Sequence, residues 1–440
     1  MAVSPARAAA FNILLRVERE SAYADELLHS SLLDELSPVD RNLATEIVMG
    51  VLRWRSVLDE TIARLSFTPF RKLDFEVLTA LRMGVYQKQF LSKIPAHASV
   101  NETVELVKQA KKTSAAGLVN AVMRKVKSVA YDPRSSKLNG VEHLSAALAH
   151  PKWLVSRWSA LFGQEVAQKI CEYDQRVPVM VFRLNGPEDE TALTSKGIQL
   201  APGALMATAR IMASGDAGAT QLFHDGKVAI QDEGSQLVAA LIDKGRRILD
   251  CCAAPGGKTA AMATRLPEAE IVATELHPHR AALLRRLVPQ PNVEVMTADA
   301  LALPYDADFD RVLADVPCSG TGTLARNPEI KWKLKPEDLL DLQSRQIAIL
   351  NAAMRHVSPG GRLVYSTCSL EPEENEQVIA TCVPNSDFKI IPVRTELERL
   401  RDSGELVWKN VDDLVSGEFL RTIPGIHPCD GFFAAVIERH

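Results

Sequence analysis

The segment RRILDCCAAPGGKTAAMATRL, residues 246–266, decides the fold of the second half of the chain. An apolar run ends at Asp250, small residues with Gly256 and Gly257 follow, and a helix-like stretch completes the segment. This order of strand, glycine turn and helix brings backbone amides close to a ligand's polar groups, so a side chain at Gly256 should obstruct binding. A GxxxxGK[ST] phosphate loop would need glycine where Cys252 stands. By itself the turn is compatible with a ligand site or with simple helix packing.

Short apolar runs alternate with helix-like segments over the rest of the chain. Runs this apolar are typical of strands buried on both faces, so we expect an α/β domain with a mostly parallel, seven-stranded sheet covered by helices. The runs are ILD at 248, IVATE at 271, VEVMT at 293, RVLAD at 311, RLVYS at 362, FKIIPV at 388 and FFAAVI at 432.

Two acidic residues follow the glycine turn at the ends of the next two predicted strands. Glu275 stands 25 residues after Asp250, near the spacing at which an acid reaches a ribose diol. Asp299 ends the third strand, where it can accept a hydrogen bond from an adenine amine. Each acid alone could be a helix cap. Together they indicate a pocket for a cofactor that contains adenosine.

Two cysteines stand in short polar loops after later strands. Cys318 lies in ADVPCSGTGT, just after Asp315, and Cys368 lies in YSTCSLEPEEN. Because the carboxyl ends of parallel strands share one edge, we expect Asp315, Cys318 and Cys368 to converge beside the glycine turn. Carbon 5 of cytosine is a poor nucleophile until a nucleophile adds at carbon 6, and a thiolate suits that addition. The pattern therefore indicates methyl transfer to a cytosine.

The first 130 residues have the pattern of an all-helical bundle. Ser37, Pro38 and Asp40 form a helix start, and apolar stripes such as Ile47, Val48 and Val51 follow. This part carries 18 Lys and Arg against 14 Asp and Glu, although the whole chain has a net charge of −4. That modest excess fits either a solvated surface or an RNA-binding one.

Composition excludes several classes of protein. With 440 residues, 46% hydrophobic and 24% charged, the chain is long enough for two or three globular domains. It has no apolar run of membrane-spanning length, so we expect no membrane association. Seven cysteines without even spacing argue for a reducing cytoplasm, and the lack of a CxxC pair argues against a metal site. His277 and His279 are better explained by the start of a helix than by metal binding.

Motifs along most of the chain resemble one known family. These motifs are IPAHASVNETVELVK, GLVNAVMRKV, HPKWLVSRW, VAIQDEGSQLVA, LDCCAAPGGKT, ADVPCSGTGT, RNPEIKW, STCSLEPEEN and DGFFAAVIER. The chain is similar to the RNA 5-methylcytosine methyltransferases of the NOP2/Sun and Fmu family, in particular to those that act on bacterial small-subunit (16S) ribosomal RNA. The resemblance implies a NusB-like RNA-binding domain at 1–132, a linker at 133–145, a small α+β subdomain at 146–228 and a Rossmann-like methyltransferase domain at 229–440.

The resemblance also implies roles for individual residues. S-adenosyl-L-methionine would be the cofactor, held by the turn and the strand-end acids Glu275, Asp299 and Asp315. Cys368 would attack carbon 6, Asp315 would contact the cytosine ring, and Cys318 would act in product release. The cytosine would be single-stranded or flipped out of its stack, because a duplex hides carbon 6. The turn comprises Cys252, Ala253, Ala254, Pro255, Gly256, Gly257 and Lys258.

Three other functions remain open from the sequence. They are methylation of transfer RNA or another RNA, a non-catalytic RNA-binding or ribosome-assembly role, and a DNA cytosine methyltransferase that uses Cys318 as its nucleophile.

A basic loop after Cys318 also has two interpretations. Its basic side chains can bind RNA phosphates, and its tryptophan ring can stack on a base. The same residues are equally compatible with a basic helix whose tryptophan lies in the core. They are Arg326, Lys331, Trp332, Lys333 and Lys335.

Overall fold

The computed structural model describes residues 3–20, 22–127, 140–215, 218, 220–306, 308–384 and 386–440. The chain divides into two compact units. The helical unit comprises Met1–Val177 with Leu324–Leu334, and the sheet unit comprises Pro178–Thr323 with Lys335–His440. The expected linker at 133–145 falls largely outside the described residues. The four domain boundaries drawn from the sequence remain predictions.

The α-helices of the described residues are Pro5–Arg19 (α1), Ala24–Leu28 (α2), Pro38–Arg53 (α3), Arg55–Leu65 (α4), Phe75–Phe90 (α5), Ala96–Gln109 (α6), Ala116–Lys125 (α7), Gly140–Ala147 (α8), Lys152–Phe162 (α9), Gln164–Asp174 (α10), Pro187–Ser195 (α11), Gln221–His224 (α12), Glu233–Ala240 (α13), Gly257–Arg265 (α14), Pro278–Leu287 (α15), Ile330–Lys333 (α16), Asp338–Arg355 (α17), Glu376–Cys382 (α18) and Val393–Asp402 (α19). None of these helices is both long and apolar enough to cross a membrane.

The helical unit is the all-α bundle that the sequence predicted. Helix α3 begins as expected, with Pro38 in its first turn and the Ser37 side chain accepting a hydrogen bond from the Asp40 N–H. Helix α5 lies at the centre, since every residue from Val77 to Gln87 is buried. A helix buried on all sides must be surrounded by other helices, so α5 organises the core of this unit.

The segment Leu324–Leu334 belongs to the helical unit. Lys331 is 2% exposed, and its Nζ donates to the Arg53 carbonyl at 2.9 Å. The Trp332 Nε1 donates to the Leu52 carbonyl at 2.6 Å, and the Lys333 Nζ donates to the Ala22 carbonyl at 2.7 Å. The interpretation of Lys331 as an RNA contact is therefore wrong, because this lysine is buried and binds the protein's own backbone. Trp332 and Lys333 are partly exposed, and their role as RNA contacts stays a prediction.

The sheet unit contains two sheets. Its strands are Val181–Leu184 (β1), Gln199–Pro202 (β2), Ala209–Ser214 (β3), Val228–Ile230 (β4), Arg247–Asp250 (β5), Glu270–Glu275 (β6), Val293–Thr297 (β7), Phe309–Asp315 (β8), Val357–Thr367 (β9), Phe388–Ile391 (β10), Val415–Ser416 (β11), Phe419–Arg421 (β12) and Phe433–Arg439 (β13). The smaller sheet has the order β2-β3-β1-β4, with antiparallel pairing throughout. The sequence had left this order open.

The larger sheet has nine strands rather than the predicted seven, in the order β11-β12-β13-β9-β8-β5-β6-β7 with β10 beside β13. All seven predicted runs are strands. The hairpin of β11 and β12 was missed because strands of two and three residues are too short to show a periodicity. Strands β7, β6, β5, β8 and β9 are parallel, whereas β10 to β13 pair antiparallel.

Register places the functional residues at one edge of this sheet. Asp250 pairs with Leu313, and Asp315 pairs with Ser366. The carboxyl ends of β5, β8 and β9 therefore lie side by side, which carries the glycine turn and both cysteine loops to the same edge.

Candidate active site

The predicted glycine turn joins β5 to α14. The Ala253 N–H donates to the Thr274 carbonyl at 2.9 Å, which fixes the turn against β6. Gly256 precedes α14 with a φ of +115°, a conformation that favours glycine. A Cβ on Gly256 would lie 2.5 Å from the Val288 Cγ2 and 2.7 Å from the Leu284 Cδ1. A side chain at Gly256 would therefore disturb the turn for a different reason from the one expected, since it would collide first with Leu284 of α15 and with Val288 just after this helix.

The two strand-end acids stand where the sequence predicted. Glu275, the last residue of β6, is 5% exposed, and its Oε1 accepts a hydrogen bond from the His277 N–H at 2.8 Å. The Oδ1 of Asp299, two residues after β7, accepts one from the Leu301 N–H at 2.9 Å. Each carboxylate also has an acceptor oxygen that this bond does not use, so a local turn contact and ligand binding are compatible.

Lys258 lies on the first turn of α14 and pairs with Asp315. Its Nζ donates to the Asp315 Oδ2 at 2.8 Å, and the Ser366 Oγ donates to the Asp315 Oδ1 at 2.7 Å. Burial lowers the pKa of Lys258, but the charge and hydrogen bond of Asp315 outweigh this effect and leave that pKa raised. The Cys368 charge acts in the same direction. Lys258 is thus a fixed cation beside both the carboxylate and the thiol.

Cys318 and Cys368 meet at the edge of the sheet. Their Sγ atoms are 3.4 Å apart, and both cysteines are free thiols. The hydrogen bond to Cys368 and burial hold the pKa of the Cys318 thiol well above its usual value. The Cys318 thiol therefore keeps its proton at neutral pH and can donate a hydrogen bond to the Cys368 sulfur.

Sequence reasoning missed the polar residues behind these cysteines. Ser319 and Ser369 each follow one cysteine, and both donate to the buried carboxylate of Glu374. The signal was present in PCS and TCS, where serine follows cysteine twice, and in the acid-rich EPEEN that comes after the second pair. The local sequence does not show that these two serines and Glu374 are in contact, because 55 residues separate Ser319 from Glu374.

His277 and His279 lie close together at the start of a helix. Their rings are 5.7 Å apart at the centroids, and His277 precedes α15 at its N-terminus. Within the described ranges, no three His, Cys, Asp or Glu side chains form a group that could hold a metal ion.

Comparison with known proteins identifies the family. Residues 239–438 match the family model described as "16S rRNA methyltransferase RsmB/F", and residues 4–128 match the NusB family. A Bacillus subtilis protein named probable ribosomal RNA small subunit methyltransferase B is 32% identical, with 98% of both chains covered. The chain belongs to the RsmB/F family. The sequence-based assignment to an rRNA methyltransferase with a NusB-like domain is thereby confirmed.

A second relative agrees with this assignment, and a solved structure shares the fold. The Vibrio cholerae ribosomal RNA small subunit methyltransferase B is 31% identical, covering 92% of this chain and 91% of that protein. The crystal structure of PH0851 superposes with a TM-score of 0.81 at 23% identity and covers 100% of both chains. At that identity the superposition establishes the fold alone, so the chemistry of this RsmB/F protein must be argued from its own residues.

Proposed function

We propose that this protein transfers a methyl group from S-adenosyl-L-methionine to carbon 5 of a cytosine in 16S ribosomal RNA, through a covalent adduct between Cys368 and the base. The observation that carries the proposal is the pair of thiols 3.4 Å apart next to the Lys258–Asp315 ion pair. Methylation at a ring nitrogen needs no covalent catalyst, whereas methylation at carbon 5 of cytosine requires prior addition at carbon 6.

The donor set at the sheet edge fits S-adenosyl-L-methionine. Glu275 offers a buried carboxylate for the ribose hydroxyls, and Asp299 offers an acceptor for the adenine amine. The turn from Cys252 to Lys258 lines the start of α14, where backbone N–H groups favour polar ligand atoms. When bound, this cofactor supplies the methyl group as a sulfonium electrophile. The cofactor assignment rests on these residues and on the family.

Cys368 serves as the nucleophile in this proposal. Its sulfur forms a bond to carbon 6, and the electron pair of the ring double bond becomes available at carbon 5. After carbon 5 has gained the methyl group, its proton passes to water or another base, and the electron pair of the carbon–hydrogen bond re-forms the ring double bond. The carbon–sulfur bond then breaks, and the thiolate leaves with the electron pair of that bond. Lys258 stabilises the thiolate before attack and after release, because its charge lies close to Cys368.

Asp315 is the residue proposed to recognise the cytosine edge. Its two oxygens each accept one hydrogen bond, from Lys258 and from Ser366. A carboxylate has about four acceptor sites, so Asp315 keeps capacity to accept from the exocyclic amine of cytosine. Uracil has a carbonyl there and would be rejected.

The RNA is proposed to engage the helical unit as well as the sheet edge. Residues 4–128 match the NusB family, and exposed cations such as Arg71 and Lys72 lie on this unit. Such cations add sequence-independent affinity for phosphates, while the sheet edge selects the base. The target cytosine is expected to be single-stranded or flipped out, because a stacked base does not expose carbon 6 to a thiol.

The decisive experiment separates the two cysteines on 16S RNA. Cys368→Ala should give neither methylated product nor a covalent complex. Cys318→Ala should methylate once and stall, leaving an RNA–protein adduct that survives denaturing electrophoresis. Cys382→Ala, which alters a thiol on α18, is the matched control and should behave as the wild type.

Each alternative predicts a different result. An adduct with Cys368→Ala and none with Cys318→Ala would make Cys318 the nucleophile. Bisulfite sequencing of 16S RNA, transfer RNA and DNA after reaction identifies the substrate. Methylation of transfer RNA or DNA alone would refute the ribosomal assignment, and no methylation of any nucleic acid would favour an assembly factor.

A further inference from the structure

The loops that carry Cys318 and Cys368 are joined by one buried carboxylate. The Oε2 of Glu374 accepts hydrogen bonds from the Ser319 Oγ and the Ser369 Oγ, both at 2.5 Å. Its Oε1 accepts from the Ser319 N–H at 2.8 Å. Each serine directly follows one of the two cysteines, so a single side chain connects the positions next to both sulfur atoms.

A neighbouring amide completes this connection. The Gln346 Nε2, on α17, donates to the Glu374 Oε1 and to the Pro317 carbonyl, each at 2.9 Å. Glu374 therefore accepts four hydrogen bonds, which matches the capacity of a carboxylate. Glu374 and Gln346 are 0% exposed, Ser369 is 1% exposed, and Ser319 is 7% exposed. A buried carboxylate whose acceptor sites are all used in this way is held in one geometry.

The chain next to Glu374 is also held in place. The Tyr365 hydroxyl donates to the Glu374 carbonyl at 2.6 Å, and the Thr367 Oγ1 donates to the Asn375 Oδ1 at 2.6 Å. Both contacts anchor the turn to β9, the strand that leads into Cys368. Glu374 is thus anchored to the strand that leads into the Cys368 loop, and its carboxylate also binds the Cys318 loop.

Other bonds between the two loops do not replace this contact. The Gly322 N–H donates to the Cys368 carbonyl, and the Leu370 N–H donates to the Thr321 Oγ1, each at 2.9 Å. These bonds involve residues three or four positions beyond Cys318. Next to the cysteines, the Ser319 and Ser369 hydroxyl oxygens are 3.0 Å apart, and both hydroxyls donate to Glu374, which holds them together.

We propose that Glu374 is a positioning residue that holds the two cysteines at reactive distance by binding the serine after each. This inference rests on the proposed cysteine chemistry. Glu374 touches neither thiol in a hydrogen bond and acts through Ser319 and Ser369. Its negative charge also adds to the hydrogen bond with Cys368 and to burial, which together raise the pKa of the Cys318 thiol.

The first test measures the thiols without RNA or cofactor. Alkylation of each cysteine by iodoacetamide, quantified by mass spectrometry across pH 6 to 10, should in the wild type modify Cys368 well before Cys318. In Glu374→Gln, one carboxylate oxygen becomes an NH₂ facing hydroxyl donors, and the charge is lost. The two alkylation profiles should then approach each other. Profiles that superimpose on the wild type would overturn the proposal.

The second test measures methyl transfer. Glu374→Gln should lower kcat by about tenfold or more, because misplacement of a reacting group is costly, while KM for RNA and for S-adenosyl-L-methionine stays unchanged. Glu268→Gln removes the same charge at an exposed site and is the matched control. An equal loss in both variants, or a loss confined to KM, would contradict a positioning role.

Two serine variants keep the test decisive if Glu374→Gln does not fold. Ser319→Ala and Ser369→Ala each remove one hydroxyl and leave the carboxylate in place. Each should lower kcat, and Ser369→Ala should add little in the Ser319→Ala background, since both hydroxyl groups act through the same carboxylate. Fully multiplicative losses would refute the proposed connection. A wild type that methylates no cytosine would refute the proposed function, while the alkylation profiles would still decide the role of Glu374.

Discussion

Lys258 at the sheet edge and Lys331 in the helical unit both have little exposure to solvent, but their surroundings differ. At the sheet edge, Lys258 pairs with Asp315 at 2.8 Å and keeps its charge. In the helical unit, Lys331 binds a backbone carbonyl, and burial lowers its pKa to about 7. A lysine beside a carboxylate can serve chemistry, whereas a lysine enclosed by backbone serves packing. The comparison teaches that the partner of a buried lysine, rather than its local sequence, separates the two roles.

The largest expected effect concerns the lysine at the sheet edge. Lys258→Met should lower kcat by about 100-fold, because breaking a partly buried ion pair leaves Asp315 uncompensated and removes the cation near Cys368. Single-turnover methylation of 16S RNA measures the loss. Lys409→Met, at an exposed lysine, should retain full activity. Equal activity in both variants would break the distinction drawn between Lys258 and other lysines.

Cofactor affinity should change by a smaller factor. Asp299→Ala and Glu275→Gln should each weaken S-adenosyl-L-methionine binding by about tenfold, the usual cost of one hydrogen bond to a charged group. Isothermal titration calorimetry gives the Kd. Glu294→Gln, an exposed acid on β7, provides the control. Unchanged affinity in both site variants would mean that the adenosine binds elsewhere.

RNA affinity tests whether exposed and buried cations differ in the helical unit. Arg71→Ala combined with Lys72→Ala should weaken 16S RNA binding by about fivefold and reduce the salt slope by roughly 1.5, since up to two phosphate contacts are lost. Lys331→Met should leave that slope unchanged, because its Nζ is bound to the Arg53 carbonyl. Fluorescence anisotropy at several salt concentrations measures both. A reduced salt slope in Lys331→Met would show that this lysine contacts the RNA after all.

The smallest effect is the pH dependence of stability at Lys331. The folded pKa of about 7 lies below the pKa of 10.5 that a solvated lysine has, so between these values the unfolded chain binds more protons and stability rises with pH. Lys331→Met should lack this rise of stability with pH. For a unit of this size, each kcal/mol of stability changes the melting temperature by on the order of 3 °C. Calorimetry from pH 6.5 to 9 measures it. Parallel pH profiles in the two proteins would show that Lys331 is not neutral at high pH.

Local patterns predicted most of the sheet unit. Apolar runs of four to six residues located all seven main strands, because burial on both faces needs such runs wherever they occur. The pattern failed for β11 and β12, which are too short, and for the orientation of β10 and β13, since parallel and antiparallel partners can both bury an apolar strand.

The sequence by itself determined the glycine turn, the strand-end acids and the two cysteine loops, because each is a contiguous motif at the end of a strand. Tertiary structure alone decided which lysine is an ion-pair partner, since Lys258 reaches Asp315 across 57 residues of chain. It also decided that Glu374 joins Ser319 to Ser369 and that Trp332 binds the Leu52 carbonyl. The physical reason is that the periodicity of apolar side chains along a segment shows which face of that segment is buried. A hydrogen-bond partner instead depends on which distant element the sheet register and helix packing bring within about 3 Å.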